Sequence, residues 1–363
     1  MLLGGFALGQ GGLGVLSLGA SSDLVSGLAK VALIVLLFRD GLEVEGEMLQ
    51  RAWHLPLRKL VLAMPITAGV VALAARAFTD LSWSEALLLG ALLSPTDPVL
   101  SSGIVTNPRV PRLIRHSLNL ESGLNDGLAL PAVLAFAAAL RVGGGHFDVW
   151  RFVAQDVSLG FACGIAIGLA ASLAMRRRTP DTLRALYVLA VAFATYGVTV
   201  ALDGNGFIAV FVAAITLGIR RADLRVGFER RSGGVVTLVK LGVFFVFGSL
   251  LTVHGLFGEG WGAVAVVLVT LALARPVAVW VALAGTGTAR AVKAFMAWFG
   301  PKGVATMTFS LLVLAMHIKA GTRIFNLAAL VVCCSVIVHG LSDIPGVAWI
   351  ERRTRADRPP AQA

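Results

Sequence analysis

Three carboxylates lie inside long apolar runs of the sequence, where an ionised side chain is costly and therefore indicates a function. Asp97 lies in the segment 94–98 (SPTDP), and Glu121 and Asp126 lie in the segment 121–127 (ESGLNDG). A carboxylate kept away from water needs a compensating positive charge or a proton. The residue types and their positions therefore predict an ion-binding site.

Two prolines, Pro95 and Pro98, flank Thr96 and Asp97. Each proline lacks a backbone donor and clashes with the preceding helical turn, so the pair predicts a break in this helix. Unwound backbone at membrane depth survives only where protein or a wet cavity satisfies it, and its free carbonyls can then coordinate an ion. A simple proline kink is the alternative, and the aspartate between the prolines favours the ion site.

Helical geometry divides the polar residues of the next apolar run between two faces. At about 100° per residue, Ser122 and Asp126 lie about 40° apart and share a face. Glu121 lies about 140° from Asp126, on the side of Asn125. We expect Ser122 and Asp126 to face one site and Glu121 to have a partner elsewhere, whereas Ser122 and Asn125 could also serve only as interhelical hydrogen bonds.

The composition sets the class of protein that must position these residues. Of 363 residues, 57% are hydrophobic and only 14% are charged, against about 25% charged in ordinary soluble domains. A soluble core of this size cannot bury so much apolar surface, and a disordered chain would be far more polar. Despite the net charge of +11, the basic residues form short clusters between apolar runs, which argues against nucleic acid as a partner.

Apolar runs of about 20 residues predict an all-α polytopic membrane protein. After a short N-terminal stub, eleven spans are predicted near 22–38, 59–78, 82–106, 112–140, 149–175, 182–202, 204–219, 234–255, 259–284, 290–318 and 323–348. We therefore predict one transmembrane domain over 1–350, with core helix triads at 59–140 and 259–348, and a short basic tail at 351–363.

The distribution of basic residues predicts the orientation in the cell membrane. If the C-terminus is cytoplasmic, 22 of the 31 lysines and arginines lie on the cytoplasmic side and five on the opposite side, as membrane insertion favours. This count assigns Arg39 and Lys59 to a cytoplasmic loop. Four basic residues remain within spans: Lys30, Lys240, Arg275 and Lys302.

A second break is predicted at 300–303 (GPKG), near the centre of span 290–318. Each triad then has a broken middle member, and the loop count makes the two triads enter the membrane from opposite sides. Inverted triads with broken helices are typical of secondary transporters.

Four motifs together resemble the cation:proton antiporter-1 family, which includes the bacterial NhaP antiporters and the animal sodium/proton exchangers. They are PTDP at 95–98, ESxxND at 121–126, ARP at 274–276 and WxGPKG at 298–303. The resemblance covers nearly the whole chain. It implies an NhaA/NhaP-like inverted-repeat fold with two broken, crossing helices, and exchange of a monovalent cation (Na+, with K+ and Li+ as alternatives) for H+.

The resemblance also implies roles for individual residues. Asp126 would take either the cation or the proton, so that the two compete. The cation would be bound or framed by Thr96, Ser122 and Glu121, with Asp97 near it and Asn125 shaping the site. Arg275 would pair with Glu121, and Lys302 stands where the family usually has arginine, so it keeps the charge without the planar fork.

Counting the buried charges predicts electroneutral one-for-one exchange. The count includes Asp97, Glu121, Asp126, Arg275 and Lys302. It leaves Asp126 as the one uncompensated charge, so that either one proton or one monovalent cation neutralises the core. The count assumes that Lys30 and Lys240 lie outside the site.

The sequence features also bear on classes of function other than antiport. A solute symporter coupled to a cation would use the same architecture, and a cation channel would need a repeated filter element. The GxGxxG at 9–14 has no βαβ unit around it, which predicts no dinucleotide and no other cofactor. No aspartate follows a glycine, unlike the Gly-x-Gly-Asp of intramembrane proteases, so no enzyme activity is predicted.

In the family, the first helices contribute to dimerisation, and the resemblance therefore implies a homodimer in the lipid bilayer. Family members carry one complete helix and most of another before the position of Gly9. This comparison predicts a shortened form or a misplaced start.

Overall fold

The computed structural model describes residues 1–16, 18–19, 22–44, 54–97, 102–141, 149–175 and 180–355. All regular secondary structure in these ranges is helical. Pro98 and the tail beyond residue 355 lie outside the described residues.

The helices are numbered here in chain order. The first eight are α1 (Leu2–Leu8), α2 (Asp23–Leu42), α3 (His54–Phe78), α4 (Trp83–Leu93), α5 (Ser102–Val105), α6 (Arg112–Arg141), α7 (Phe152–Ala174) and α8 (Asp181–Ala201). The others are α9 (Gly206–Arg220), α10 (Ala222–Ser249), α11 (Val253–Phe257), α12 (Trp261–Ala282), α13 (Arg290–Trp298), α14 (Val304–Ala315) and α15 (Gly321–Arg355).

The predicted all-α membrane architecture is confirmed. Within the described residues, seven helices are long and apolar enough to cross a membrane, and three further apolar helices are shorter. Each predicted span falls on a helix or on a pair of half-helices, while the number of crossings stays a prediction. The span predicted to end at residue 38 continues through Arg39 and Asp40 to Leu42.

Both predicted helix breaks are present, and they cross. Helix α4 ends at Leu93 and α13 ends at Trp298, and the residues that follow each of them are not helical. At the crossing, the backbone N–H of Asp97 donates to the carbonyl of Pro301 at 2.8 Å. The end of α4, the residues after α13 and the start of α14 therefore lie close together.

The first helices of the two triads, α3 and α12, pack against each other and each contains a π-helical turn. The turns span Lys59–Ala63 in α3 and Val269–Ala274 in α12. Lys59 begins the first turn and Arg275 follows the second, so both basic side chains lie at a local change of helical phase. Such turns are frequent at functional sites.

Helices α2 and α10 pack against the core, where both contact α14. On its other side α2 packs along α9, which in turn packs along α7. Close approach of α7 and α9 depends on glycines: a Cβ added at Gly164 would lie 2.7 Å from the carbonyl oxygen of Ala209. Small residues at helix contacts allow this kind of backbone packing in membranes.

Arg221, which lies between α9 and α10, connects the end of α7 to the start of α10. Arg221 donates hydrogen bonds of 2.8 Å to the carbonyls of Ser172 and Met175, at the end of α7. The same guanidinium donates two hydrogen bonds to Asp223 and holds the pKa of that carboxyl below its usual range.

The glycine packing gives a first prediction. Replacing Gly164 by Ala places a methyl group against the backbone of α9, so we expect unfolding to cost about 1 to 3 kcal/mol less than in the wild type. Gly197→Ala is the matched control, since a Cβ there meets nothing within 4 Å. Melting temperatures of the purified variants test this, and a Gly164→Ala protein as stable as the control would contradict it.

Candidate functional site

Each helix break satisfies polar groups that the other leaves unpaired. The carboxylate of Asp97 accepts the first amide of α14, Val304 N–H, at 2.7 Å. The ammonium of Lys302 donates to the carbonyls of Ser94 and Pro95, at 3.2 and 3.0 Å, just beyond the end of α4. A negative group thus faces a helix N-terminus and a positive group a helix C-terminus, which is the favourable sign at both ends.

Two glycines of the second break leave space for side chains of the site. A Cβ added at Gly303 would lie 2.5 Å from the Asp97 carboxylate, and one added at Gly300 would lie 2.0 Å from Nε of Arg275. Both positions therefore require the absence of a side chain. The two glycines of the GPKG sequence therefore leave the space that the side chains of Asp97 and Arg275 occupy.

Helix α6 holds the first break through Asn125. The amide of Asn125 donates to the backbone carbonyl of Thr96 at 2.8 Å and to its hydroxyl at 3.2 Å. This fixes the unwound segment on the side of α6 that also carries Glu121. Asn125 thus holds the break at Thr96, and the role in shaping the cation site that the resemblance implies for it stays a prediction.

Glu121 binds two buried cations. Arg275 donates to its carboxylate at 2.9 and 3.2 Å, which is the pair that the resemblance implies. The ammonium of Lys59 donates to the same carboxylate at 2.6 Å and to the carbonyl of Ser117 at 3.3 Å. The assignment of Lys59 to a cytoplasmic loop was therefore wrong: its side chain is buried, because α3 begins five residues earlier and carries it into the core.

Ser122 and Asp126 face a cavity of about 40 Å3 on the other side of α6. The remaining lining residues are Leu36, Arg39, Asp40, Glu43, Asp97, Asn119, Lys240, Val304 and Ala305. The lining runs from the partly exposed side chains of Arg39 and Glu43 to the buried Asp97. A cavity lined by titratable side chains therefore extends from the end of α2 to the crossing of the two helix breaks.

Asp126 is half-buried at this cavity, and one of its carboxylate oxygens has no partner. Within the described residues, Oδ1 is shielded from solvent and accepts no hydrogen bond. Ionising a carboxylate whose buried oxygen accepts no hydrogen bond costs free energy. The geometry therefore favours binding of a proton or a cation at this atom.

Three residues predicted at the cation site, Thr96, Glu121 and Asn125, do not line the cavity of Asp126. Both oxygens of Glu121 are engaged by Arg275 and Lys59, so Glu121 is outside the cavity of Asp126. The hydroxyl of Thr96 is held by Asn125, and Thr96 lines a neighbouring cavity that shares Asp97 and Ser122 with the first. Ser122, Asp97 and Asp126 are the predicted residues that the structure brings together.

The charge count made from the sequence was also wrong. Lys59 adds a third base to the buried core, so three carboxylates face three bases when all are charged. Lys240 lines the cavity instead of lying outside it, because α10 packs against α14 and α2. The count that left Asp126 as the one uncompensated charge therefore does not describe the buried core.

Sequence reasoning missed five polar residues of the cavity wall: Arg39, Asp40, Glu43, Asn119 and Lys240. Asp40 and Arg39 could have been found by continuing the first span beyond Phe38, since a charged pair at the end of an apolar run fits the last turn of a helix. Lys240 was noted as a basic residue within a span, and only the packing of α10 places it near Asp126.

The paired charges give a second prediction. Glu121→Gln leaves Lys59 and Arg275 facing each other, so we expect a loss of about 3 to 5 kcal/mol of stability. Adding Lys59→Met to that variant should restore part of the loss, because one uncompensated cation is removed. Melting temperatures of the two single variants and the double variant measure the coupling.

Glu85→Gln serves as the control for this cycle, since Glu85 is a carboxylate at the exposed start of α4. Its replacement should cost no more than about 1 kcal/mol. Additive effects of Glu121→Gln and Lys59→Met would show that the two residues are not coupled.

Comparison with known proteins places this site in a family. The profile described as "Sodium/hydrogen exchanger, transmembrane" matches residues 1–349. The K(+)/H(+) antiporter NhaP of Alkalimonas amylolytica is 26% identical over 371 residues, covering 99% of this chain and 63% of that protein. The Na(+)/H(+) antiporter ApNhaP of Aphanothece halophytica is 28% identical over 222 residues, covering 58% of this chain and 41% of that protein. The chain spans less than two thirds of the length of either relative.

The fold also matches a solved structure. The sodium proton antiporter MjNhaP1 from Methanocaldococcus jannaschii at pH 8 aligns with a TM-score of 0.82 at 17% identity, covering 96% of this chain and 91% of that chain. This likeness shows the crossed-helix fold that the sequence predicts. Because the family profile matches nearly the whole sequence, the chain belongs to the transmembrane sodium/hydrogen exchanger family.

Proposed function

We propose that the protein is a secondary antiporter that exchanges a monovalent cation for H+, with Asp126 as the group that binds each in turn. The observation that carries this proposal is the unpartnered oxygen of Asp126 in a cavity at the crossing of two helix breaks. The named relatives support it, since each is an antiporter for K+ or Na+ by name. The symporter and channel alternatives receive no support from them.

The lining of the cavity suggests how a dehydrated cation is held. Asp126 and Ser122 offer oxygens from one face of α6, and Asp97 lies beside them at the first break. Asp40 places a further carboxylate on the facing helix α2. Oxygen ligands of this kind suit hard cations such as Na+ and K+, and Asp97 also keeps its contact with the start of α14.

Exchange is electroneutral because one proton is exchanged for one monovalent cation, whatever the net charge of the buried core. One proton and one monovalent cation add the same charge to Asp126, so the two loaded forms carry equal charge whatever surrounds them. The empty form is disfavoured because its buried oxygen has no partner. One-for-one coupling follows, since only loaded forms can pass through the low-dielectric barrier at low cost.

The orientation proposed from the basic residues agrees with contacts at both ends of the molecule. Arg58 donates to the carbonyls of Ala282 and Ala284, so two loops assigned to the cytoplasm lie together. Arg323 bonds Glu259 and lies 3.9 Å from Asp80, so three loops assigned to the outside lie together. We therefore propose a multi-pass cell-membrane protein with a cytoplasmic C-terminus and a cavity that opens to the cytoplasm.

A single transmembrane domain over 1–350, followed by a basic tail, stays a prediction. A homodimer in the bilayer is a further proposal and rests on the family resemblance alone.

The central role of Asp126 gives a third prediction. Asp126→Asn removes the charge at nearly constant shape, so we expect loss of exchange with normal amounts of protein in the membrane. The measurement is the collapse of a pH gradient in everted vesicles on addition of Na+, Li+ or K+ in turn. Asp23→Asn, at an exposed aspartate in the first turn of α2, should exchange like the wild type, and flux retained in Asp126→Asn would rule out the proposed role.

Competition at one carboxylate gives a fourth prediction. As pH falls, the apparent KM for the cation should rise, approaching about tenfold for each pH unit, because one proton displaces one cation. The maximum rate should change much less. Exchange rates in proteoliposomes, measured over a series of cation concentrations at several pH values, test this.

The same vesicles test electroneutrality when K+ and valinomycin clamp the membrane potential and Na+ or Li+ is the substrate. The exchange rate should not depend on the potential. A steep dependence would show net charge movement and exclude the scheme with one carboxylate.

A further inference from the structure

Two buried residues of α15 contact both ends of the second helix break. Ser335 accepts a hydrogen bond from the backbone N–H of Lys302 at 2.8 Å. His339, one helical turn later, has its Nε2 at 3.1 Å from the carbonyl oxygen of Trp298, the last residue of α13. Neither residue lines the cavity of Asp126, and the antiport scheme above does not use them.

The two side chains also contact each other, with Oγ of Ser335 at 3.1 Å from Nδ1 of His339. The carbonyls of Trp298 and Ser335 can only accept, and that of Ser335 lies 2.9 Å from Nδ1. With its proton on Nε2, the neutral ring donates to Trp298 and accepts the hydroxyl proton of Ser335 at Nδ1, whereas with its proton on Nδ1 it donates to the carbonyl of Ser335. The contact with the second break is the hydrogen bond of the Nε2–H form, which the imidazolium also makes.

This arrangement replaces hydrogen bonds that the break removes from the helix. Residues 299–303 are not helical, so their amides and carbonyls need other partners inside the protein. Ser335 supplies an acceptor at one end of the break and His339 a donor at the other. Between them, Arg275 donates to the carbonyl of Phe299 at 3.3 Å, and Asp97 N–H donates to that of Pro301.

From this backbone the contacts continue to the cation site. When Ser335 fixes the backbone of Lys302, it also fixes the start of the side chain whose ammonium holds Ser94 and Pro95. Two residues further along, the amide of Val304 holds the carboxylate of Asp97 at the cavity. The position of the second break therefore determines the position of the first.

We propose that Ser335 and His339 are positioning residues for cation binding, which act by holding the 299–303 break in register with Thr96 and Asp97. This inference rests on the proposed antiport. In addition to any contribution to folding, these two side chains set the affinity and selectivity for the cation.

Isosteric variants of His339 separate positioning from simple burial. Glutamine can place its amide N–H near the position of Nε2 and keep the bond to Trp298, whereas asparagine can reach only the position of Nδ1. We expect His339→Gln to stay within about twofold of the wild-type KM. His339→Asn, His339→Ala and Ser335→Ala should each raise KM about three- to tenfold, the effect of one lost hydrogen bond.

The maximum rate per folded molecule should change less than KM, and the order of preference among Li+, Na+ and K+ should shift in the same three variants. Ser310→Ala is the matched control, because it removes a buried hydroxyl whose partner is the carbonyl of Thr306 within α14. A role in folding alone would lower the amount of protein in Ser335→Ala and Ser310→Ala alike and leave KM and selectivity unchanged.

Amide hydrogen exchange of the purified full chain tests the inference without transport. Ser335→Ala removes the acceptor of Lys302 N–H, so exchange in peptides covering 299–304 should be about tenfold faster than in Ser310→Ala. Unchanged protection together with an unchanged KM would overturn the proposal. If the wild type exchanges no cation for protons, the antiport proposal fails, and the amide protection alone decides whether Ser335 and His339 hold the break.

Discussion

Two helices that stop in the middle of the molecule leave free amides and carbonyls where water is scarce, and each break supplies what the other lacks. Asp97 from the first break holds the amide end of α14, and Lys302 from the second holds the carbonyls after α4. Neither break would be tolerable alone at this depth. The crossing therefore connects the two triads, and it contributes Asp97, Val304 and Ala305 to the wall of the Asp126 cavity.

The crossing also explains how the protein divides its charges. Glu121, Lys59 and Arg275 satisfy one another behind α6, away from the cavity. Asp126, only five residues from Glu121, has an oxygen without such a partner. Two faces of one helix thus carry a carboxylate paired with two bases and a carboxylate with an unpartnered oxygen, and the difference between them lies in their neighbours and not in their residue type.

Much of this arrangement could be predicted from the sequence because it depends on local chemistry. The prolines around Asp97 and the glycines around Lys302 predict the breaks, and the rotation of about 100° per residue in a helix places Glu121 and Asp126 on different faces. Contacts between segments that are distant in the sequence are harder to predict. Lys59 looked like a loop residue because the start of α3 is not marked by hydropathy, and its proximity to Glu121 depends on a π-helical turn. The place of Lys240 in the cavity depends on how α10 packs, which no local pattern encodes.

The position of Lys59 also matters for the order in which the chain is made. Glu121 lies 62 residues after Lys59 but 154 residues before Arg275. At a synthesis rate of about 5–20 residues per second, Arg275 emerges roughly 8 to 30 s after Glu121. During that interval, Lys59 is the partner of Glu121 that has already been synthesised. The second cation thus allows Glu121 to form a charge pair before the C-terminal half of the protein exists.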